Sequence, residues 1–144
     1  MNKSKKIAVI GGGSWATALA KILTNEKGSF INWWMHNEVS VAHVLRFRHN
    51  PKYLQSVEFD LERINISTDL RDMIKQSDII IIATPSAYLF EVFKDFPKEL
   101  FKNKVVFSAV KGIIPEVHEI PGQFFQSHLG VDEDNIGIIC GPCH

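Results

Sequence analysis

The sequence predicts an α/β fold of the doubly wound kind, a mainly parallel sheet with helices on both faces. Three observations carry this expectation. Short apolar runs alternate with segments of helical period along the chain, which is the pattern of a parallel sheet joined by crossover helices. The two strongest runs, Lys6–Ile10 and Ile79–Ala83, are continuous and β-branched rather than alternating, as strands buried on both faces are. A glycine-rich segment follows the first of them and opens a helix.

Size and charge are consistent with that fold. With 144 residues the chain fits one domain that can bury a core without disulfides or metals. Its residues are 45% hydrophobic and 22% charged, and 16 bases balance 16 acids, so nothing points to nucleic acid or a membrane surface as a partner. No stretch approaches the roughly 20 apolar residues that span a bilayer. The basic start, Met1–Lys6, precedes only a strand-length run, which is no signal peptide; a cytoplasmic location is expected. Two cysteines imply no disulfide framework.

The elements follow in order. Lys6–Ile10 is the first strand, and Ser14–Asn25 carries Trp15, Ala18, Leu19, Ile22 and Leu23 at helical spacing, ending near Gly28. Phe30–Met35, rich in aromatics, is the second strand. The polar, basic stretch from His36 to Pro51 reads as part helix and part loop. Ser67-Thr68-Asp69 caps a short helix, Leu70–Gln76, before the strand Ile79–Ala83. A helix over about 87–93, a strand at Lys104–Ala109, a helix over about 123–129 and a last strand at Asn135–Cys140 complete the domain, 1–144. The chain stops just beyond that strand, where a binding loop should begin, so a second domain is expected after His144.

Gly11-Gly12-Gly13-Ser14-Trp15-Ala16 spells G-x-G-x-x-A between a buried strand and an amphipathic helix, the setting a dinucleotide-binding fingerprint requires. Gly11 permits the tight turn, Gly13 lets a pyrophosphate approach the backbone, and Ala16 lets helix and strand pack closely. N–H groups around Gly13–Trp15 then face the phosphate oxygens. NAD or NADP is the expected cofactor. An acidic side chain at the end of the second strand would hold the NAD ribose, but the residues there are Met35-His36-Asn37, and Glu38 comes late. His36 and Asn37 can donate to a 2'-phosphate, with Arg46 or Arg48 as further candidates, which favours NADP or dual use.

Three segments share the C-terminal edge of the strands, where open α/β sheets bind ligands. Thr84-Pro85-Ser86 lines the nicotinamide side or is simply a helix start. Lys111, after Val105–Val110, points an ammonium into the crevice or into solvent. Gly141-Pro142-Cys143 offers backbone N–H groups to an anionic substrate. Cys140-Gly141-Pro142-Cys143-His144 also spells a thioredoxin-type motif and a c-type haem site, but no helix follows it and no export signal precedes it. The six histidines show no ligand spacing, and no metal is expected.

In this order the motifs resemble the N-terminal domain of bacterial NAD(P)-dependent glycerol-3-phosphate dehydrogenases. Gly11-Gly12-Gly13-Ser14-Trp15-Ala16-Thr17-Ala18-Leu19-Ala20 is similar to that family's G-x-G-x-W-G/A-T-A-L-A, and Asn50-Pro51-Lys52-Tyr53-Leu54 to its N-x-x-Y/F-L. Ser67–Leu70, Ala83–Ser86, Ser108–Gly112 and Cys140–Pro142 resemble its T-x-D-L, V/T-P-S, A-T-K-G and S-G-P segments. The resemblance implies a Rossmann-type domain in which Ser14, Trp15 and His36 contact the cofactor, Lys111 meets both cofactor and substrate, and Gly141 and Cys143 help hold the substrate. Cys143 stands where the family has Ser or Thr. The implied reaction interconverts dihydroxyacetone phosphate and sn-glycerol 3-phosphate, which supplies phospholipid synthesis. The implied full-length enzyme is a homodimer whose general acid is a second lysine in a helical C-terminal domain. A fragment of residues 1–144 alone is then expected to bind cofactor weakly and to turn over little.

Overall fold

The computed structural model describes residues 4–139. Its strands are β1 (Ile7–Ile10), β2 (Ile31–Trp34), β3 (Ile64–Ser67), β4 (Ile79–Ile82), β5 (Val105–Ser108) and β6 (Ile136–Ile138). The helices are α1 (Ser14–Asn25), α2 (Glu38–Phe47), α3 (Leu70–Lys75), α4 (Ser86–Phe93) and α5 (Pro121–Ser127). The strands form one sheet in the order β3-β2-β1-β4-β5-β6, and every neighbouring pair is parallel. This is the expected doubly wound fold. The order reverses between β1 and β4, so connections diverge there and leave a crevice at the strands' C-terminal ends.

Alternating side chains divide the core between the two faces of the sheet. Val9, Ile31, Trp33, Ile64 and Ile66 pack with Ala16, Ala20, Val41 and Val44 of α1 and α2. Ala8, Ile10, Trp34, Ile80 and Ile82 pack on the opposite face with Met73, Leu89, Phe93 and Phe124 of α3, α4 and α5. The adjacent tryptophans of β2 therefore point opposite ways. Among the described residues no helix is long and apolar enough to cross a membrane.

One strand escapes the sequence pattern. β3, Ile64-Asn65-Ile66-Ser67, is an edge strand of alternating residues, and its half-buried Asn65 is matched across the sheet. Asn65 Nδ2 donates to Asn32 Oδ1 (3.2 Å), Asn32 Nδ2 donates to Ser77 Oγ (2.9 Å), and Ser77 Oγ donates to the Met73 carbonyl (2.8 Å). Asn32 and Asn65 are register partners in the β2–β3 ladder. A polar chain of this kind is tolerated in a core because each member is paired. Below it, at the opposite edge from the crevice, the Lys104 ammonium donates to the Ser77 carbonyl. Burial pushes that lysine below its ordinary range, against the opposing pull of Asp78.

Helix ends explain the remaining differences. α5 begins at Pro121, a residue suited to a first helical turn, two residues earlier than the pattern suggests. The segment 36–51 resolves into α2, capped by Asn37, whose Oδ1 accepts from Val39 N (2.8 Å) and Ser40 N (3.2 Å), followed by a loop. Cys140, the predicted end of the last strand, lies outside the described residues.

Trp33 tests how the two layers are joined. It is fully buried, stacks obliquely on Phe59 at 4.9 Å and donates its indole N–H to the Gly11 carbonyl (2.7 Å). Trp33→Phe leaves a gap and an unpaired buried carbonyl, and is expected to cost about 2–4 kcal/mol in urea unfolding. A loss under about 0.5 kcal/mol would show that the contact contributes little.

Candidate functional site

The site begins where β1 runs out. Gly11 has φ +140°, and a Cβ on it would stand 2.9 Å from the Ala83 carbonyl oxygen at the end of β4. Only glycine fits where the chain crosses so closely over a neighbouring strand. Three side chains and one N–H then take up the carbonyls of the turn. Trp33 Nε1 donates to Gly11 O (2.7 Å), and Asn50 Nδ2 donates to Gly12 O (3.1 Å). Thr17 donates to Gly13 O from both its hydroxyl (2.6 Å) and its backbone N–H (3.0 Å).

A trans peptide points its C=O and its N–H in opposite directions. With the carbonyls of Gly11, Gly12 and Gly13 turned into the protein, the N–H groups of Gly12, Gly13 and Ser14 turn outward. Among the described residues no side chain caps α1, so its first-turn N–H groups add to that donor surface with the positive end of the helix dipole behind it. A Cβ on Gly13 would meet nothing within 4 Å. Gly11 is thus small because protein is close, whereas Gly13 borders open space. Ala16 is fully buried against β1, which fits its expected packing role.

In front of the turn lies an open cavity of about 770 Å³, the size of a small-molecule site. Gly11, Gly12 and Gly13 form its middle. Trp34, Met35, His36, Asn37 and Ser40 line it from the end of β2 and the start of α2, and Thr84, Pro85, Tyr88, Glu91 and Val92 from β4 and α4. Asn50, Lys52 and Tyr53 come from the loop after α2. The cavity therefore straddles the point where the strand order reverses.

Of the residues predicted from sequence, Gly11, Gly13, His36, Asn37 and Pro85 meet at this cavity. Ser14 and Trp15 are exposed on the first turn of α1 and their side chains stand outside the lining; what they bring to the turn is main-chain N–H. Lys111 is exposed on the segment after β5, also outside the lining. The next residue, Gly112, lies beside the start of α4, where a Cβ would be 3.7 Å from Ser86 Oγ. Gly141 and Cys143 lie outside the described residues. Arg46 and Arg48 belong to the far end of α2, where Arg46 sits over the Phe47 ring at 5.1 Å; the lysine or arginine that does line the cavity is Lys52.

The sequence reading missed the residues that hold the turn. Thr17, Trp33 and Asn50 are each buried to at least 99%, and each contacts the glycines from a different element. Their signal was a buried polar side chain close to the fingerprint, visible for Thr17 four residues after Gly13 and invisible for Trp33 and Asn50.

A family model described as the NAD-dependent glycerol-3-phosphate dehydrogenase N-terminus matches residues 6–144. The chain belongs to this family. A glycerol-3-phosphate dehydrogenase (NAD(P)+) of Legionella pneumophila (strain Corby) is 36% identical over 142 residues, 99% of this chain and 41% of the relative. One from Thermoanaerobacter sp. (strain X514) is 32% identical over 140 residues, 96% of this chain and 40% of the relative. The chain thus spans about two fifths of the length of these family members. The crystal structure of glycerol-3-phosphate dehydrogenase from Coxiella burnetii superposes with a TM-score of 0.78 at 25% identity, over 93% of this chain and 39% of that one. An imine reductase from Pseudomonas sp. shares the fold alone, with a TM-score of 0.64 at 14% identity.

The two glycines make opposite predictions. Gly11→Ala is expected to destabilise the chain by about 2 kcal/mol or more, since a left-handed φ and a backbone clash coincide. Gly13→Ala should change the stability by no more than about 1 kcal/mol while weakening NADPH binding about tenfold or more, because its methyl occupies the phosphate's space. Melting temperatures and nicotinamide fluorescence titrations check both.

Proposed function

We propose that this domain binds NAD or NADP with the pyrophosphate on the N–H groups of the Gly11–Trp15 turn. In this reading the whole protein interconverts dihydroxyacetone phosphate and sn-glycerol 3-phosphate, supplying glycerophospholipid synthesis. The observation that carries the cofactor reading is the set of three consecutive inward carbonyls, which leaves a neutral, outward-facing donor surface at a helix start. Membership of the family and the activity for which the relatives are named support the reaction.

When bound, the cofactor supplies a hydride from C4 of its nicotinamide. The domain's residues orient and bind. The β4 side of the cavity, with Thr84, Pro85 and Tyr88, suits the nicotinamide half, since a proline-stiffened turn holds a flat wall. Lys111, on the same sheet edge beside the start of α4, supplies positive charge for an oxyanion and a phosphate ester. Gly141 and Cys143, which come after β6 in the sequence, are assigned to the substrate by resemblance. The remaining three fifths of the length of a family member would bring the general acid.

The β2 side of the cavity supports NADP alongside NAD. His36, Asn37, Ser40 and Lys52 line it, whereas Glu38 does not and Glu91 lines the opposite side from α4. Without a carboxylate to hold the ribose diol, and with a lysine present, a 2'-phosphate is accommodated. Lys52→Ala is expected to weaken NADPH binding about tenfold and leave NADH within about twofold; equal effects on both would remove the preference.

Lys111→Ala in the full-length protein tests the reaction. Turnover of glycerol 3-phosphate is expected to fall about 100-fold or more, the scale of losing one oxyanion-stabilising charge, with NADPH affinity changed only severalfold. Unchanged turnover would sink the assignment of Lys111, and turnover by residues 1–144 alone would show that no further acid is needed.

A further inference from the structure

We propose that Asn50 is a positioning residue for dinucleotide binding, its carboxamide setting which way the phosphate-facing peptide units point. The proposal rests on the reading of the Gly11–Trp15 turn as the pyrophosphate site.

Asn50 is 1% exposed and uses its full bonding capacity. Its Nδ2 donates to Gly12 O (3.1 Å) and to Thr17 Oγ1 (3.0 Å), and its Oδ1 accepts from Lys52 N (2.9 Å) and Tyr53 N (3.2 Å). The two acceptor bonds shape its own loop and would suffice for a local turn. The two donor bonds reach back 38 and 33 residues and serve the glycine turn instead. Thr17 passes the second one on, because its hydroxyl accepts from Asn50 and donates to Gly13 O (2.6 Å). One carboxamide thus fixes Gly12 O directly and Gly13 O through Thr17. By peptide planarity it aims the N–H groups of Gly13 and Ser14 at the cavity.

The same side chain couples the two halves of the cofactor site. By holding Lys52 N and Tyr53 N it places both residues on the cavity wall. An aspartate at position 50 would keep that loop bonded but lose both donors, and would set a carboxylate against the Gly12 carbonyl.

Dissociation constants of the intact chain, Asn50→Asp, Thr17→Val and the double variant test this, with NADPH measured by nicotinamide fluorescence and ADP and adenosine by calorimetry. Asn50→Asp is expected to weaken NADPH and ADP about tenfold or more, with adenosine, which lacks phosphates, kept within about twofold. Thr17→Val should show the same split to a smaller degree. The double variant should lose less than the two single losses combined, because both break one relay. Equal losses of ADP and adenosine would overturn the proposal by reducing Asn50 to a structural support, as would unchanged ADP binding. If Asn50→Asp does not fold, the ADP-to-adenosine ratio of Thr17→Val decides. Failure of the unaltered chain to bind NADPH or NADH removes the pyrophosphate reading itself, and the proposal with it.

Discussion

The closest constraint in this fold is the passage of Gly11 over the end of β4. β1 and β4 lie side by side and end together, with Ile10 paired to Ile82, and Ala83 N donates to the Ile10 carbonyl (2.8 Å). The chain leaving β1 must therefore turn at once across its neighbour. A side chain at position 11 would strike the Ala83 backbone, and any residue other than glycine would be strained at φ +140°. Once this crossing is made, α1 has to start three residues later, and its N-terminus has to face the crevice between the diverging connections.

The turn is held chiefly from β2 and the loop beyond α2. β2 looks like an ordinary buried strand, but three of its four residues carry polar atoms, and each has a partner in a different place. Asn32 reaches Ser77 below the sheet, Trp33 reaches Gly11 at the turn, and Trp34 Nε1 donates to the Thr68 carbonyl (2.9 Å) ahead of α3. Burying such groups unpaired would be costly, each by about 1–3 kcal/mol, so their geometry is strongly specified. That makes β2 a ruler against which the connections on both faces are set.

This arrangement also decides what could be read from sequence. Continuous runs such as Ile79–Ile82 and the glycine fingerprint are local patterns, and local patterns were legible: β1, α1, β2, β4 and β5 fall where periodicity puts them. β3 was missed because Asn65 breaks the apolar signal, and what makes it strand-like is its partner Asn32 across the sheet. The same holds at the site. Gly11, Gly13, His36, Asn37 and Pro85 sit at positions that the fold class alone places at the crevice. Asn50 and Trp33 act over 38 and 22 residues of chain, so no spacing rule announces them. Arg46 and Arg48 seemed near because they are near in sequence, yet α2 carries them away from the cavity while the following loop returns Lys52 to it.

On the proposed reading, a phosphate is held with peptide dipoles rather than cations. Among the described residues the lining contains one lysine, Lys52, and no arginine, so the turn offers a phosphate neutral donors that are already fixed by buried hydrogen bonds. No flexible side chain has to be ordered on binding, and no like charges repel one another when the site is empty. On the same proposal, discrimination between NAD and NADP falls to exposed residues at the other end of the cavity, His36, Asn37 and Lys52, none of which bonds the carbonyls of the turn. Substitutions there can retune the 2' preference without disturbing the crossing of Gly11 over β4. The separation fits a family whose members are named for both NAD and NADP: on the proposed reading the pyrophosphate grip belongs to the core and the choice of cofactor to the surface.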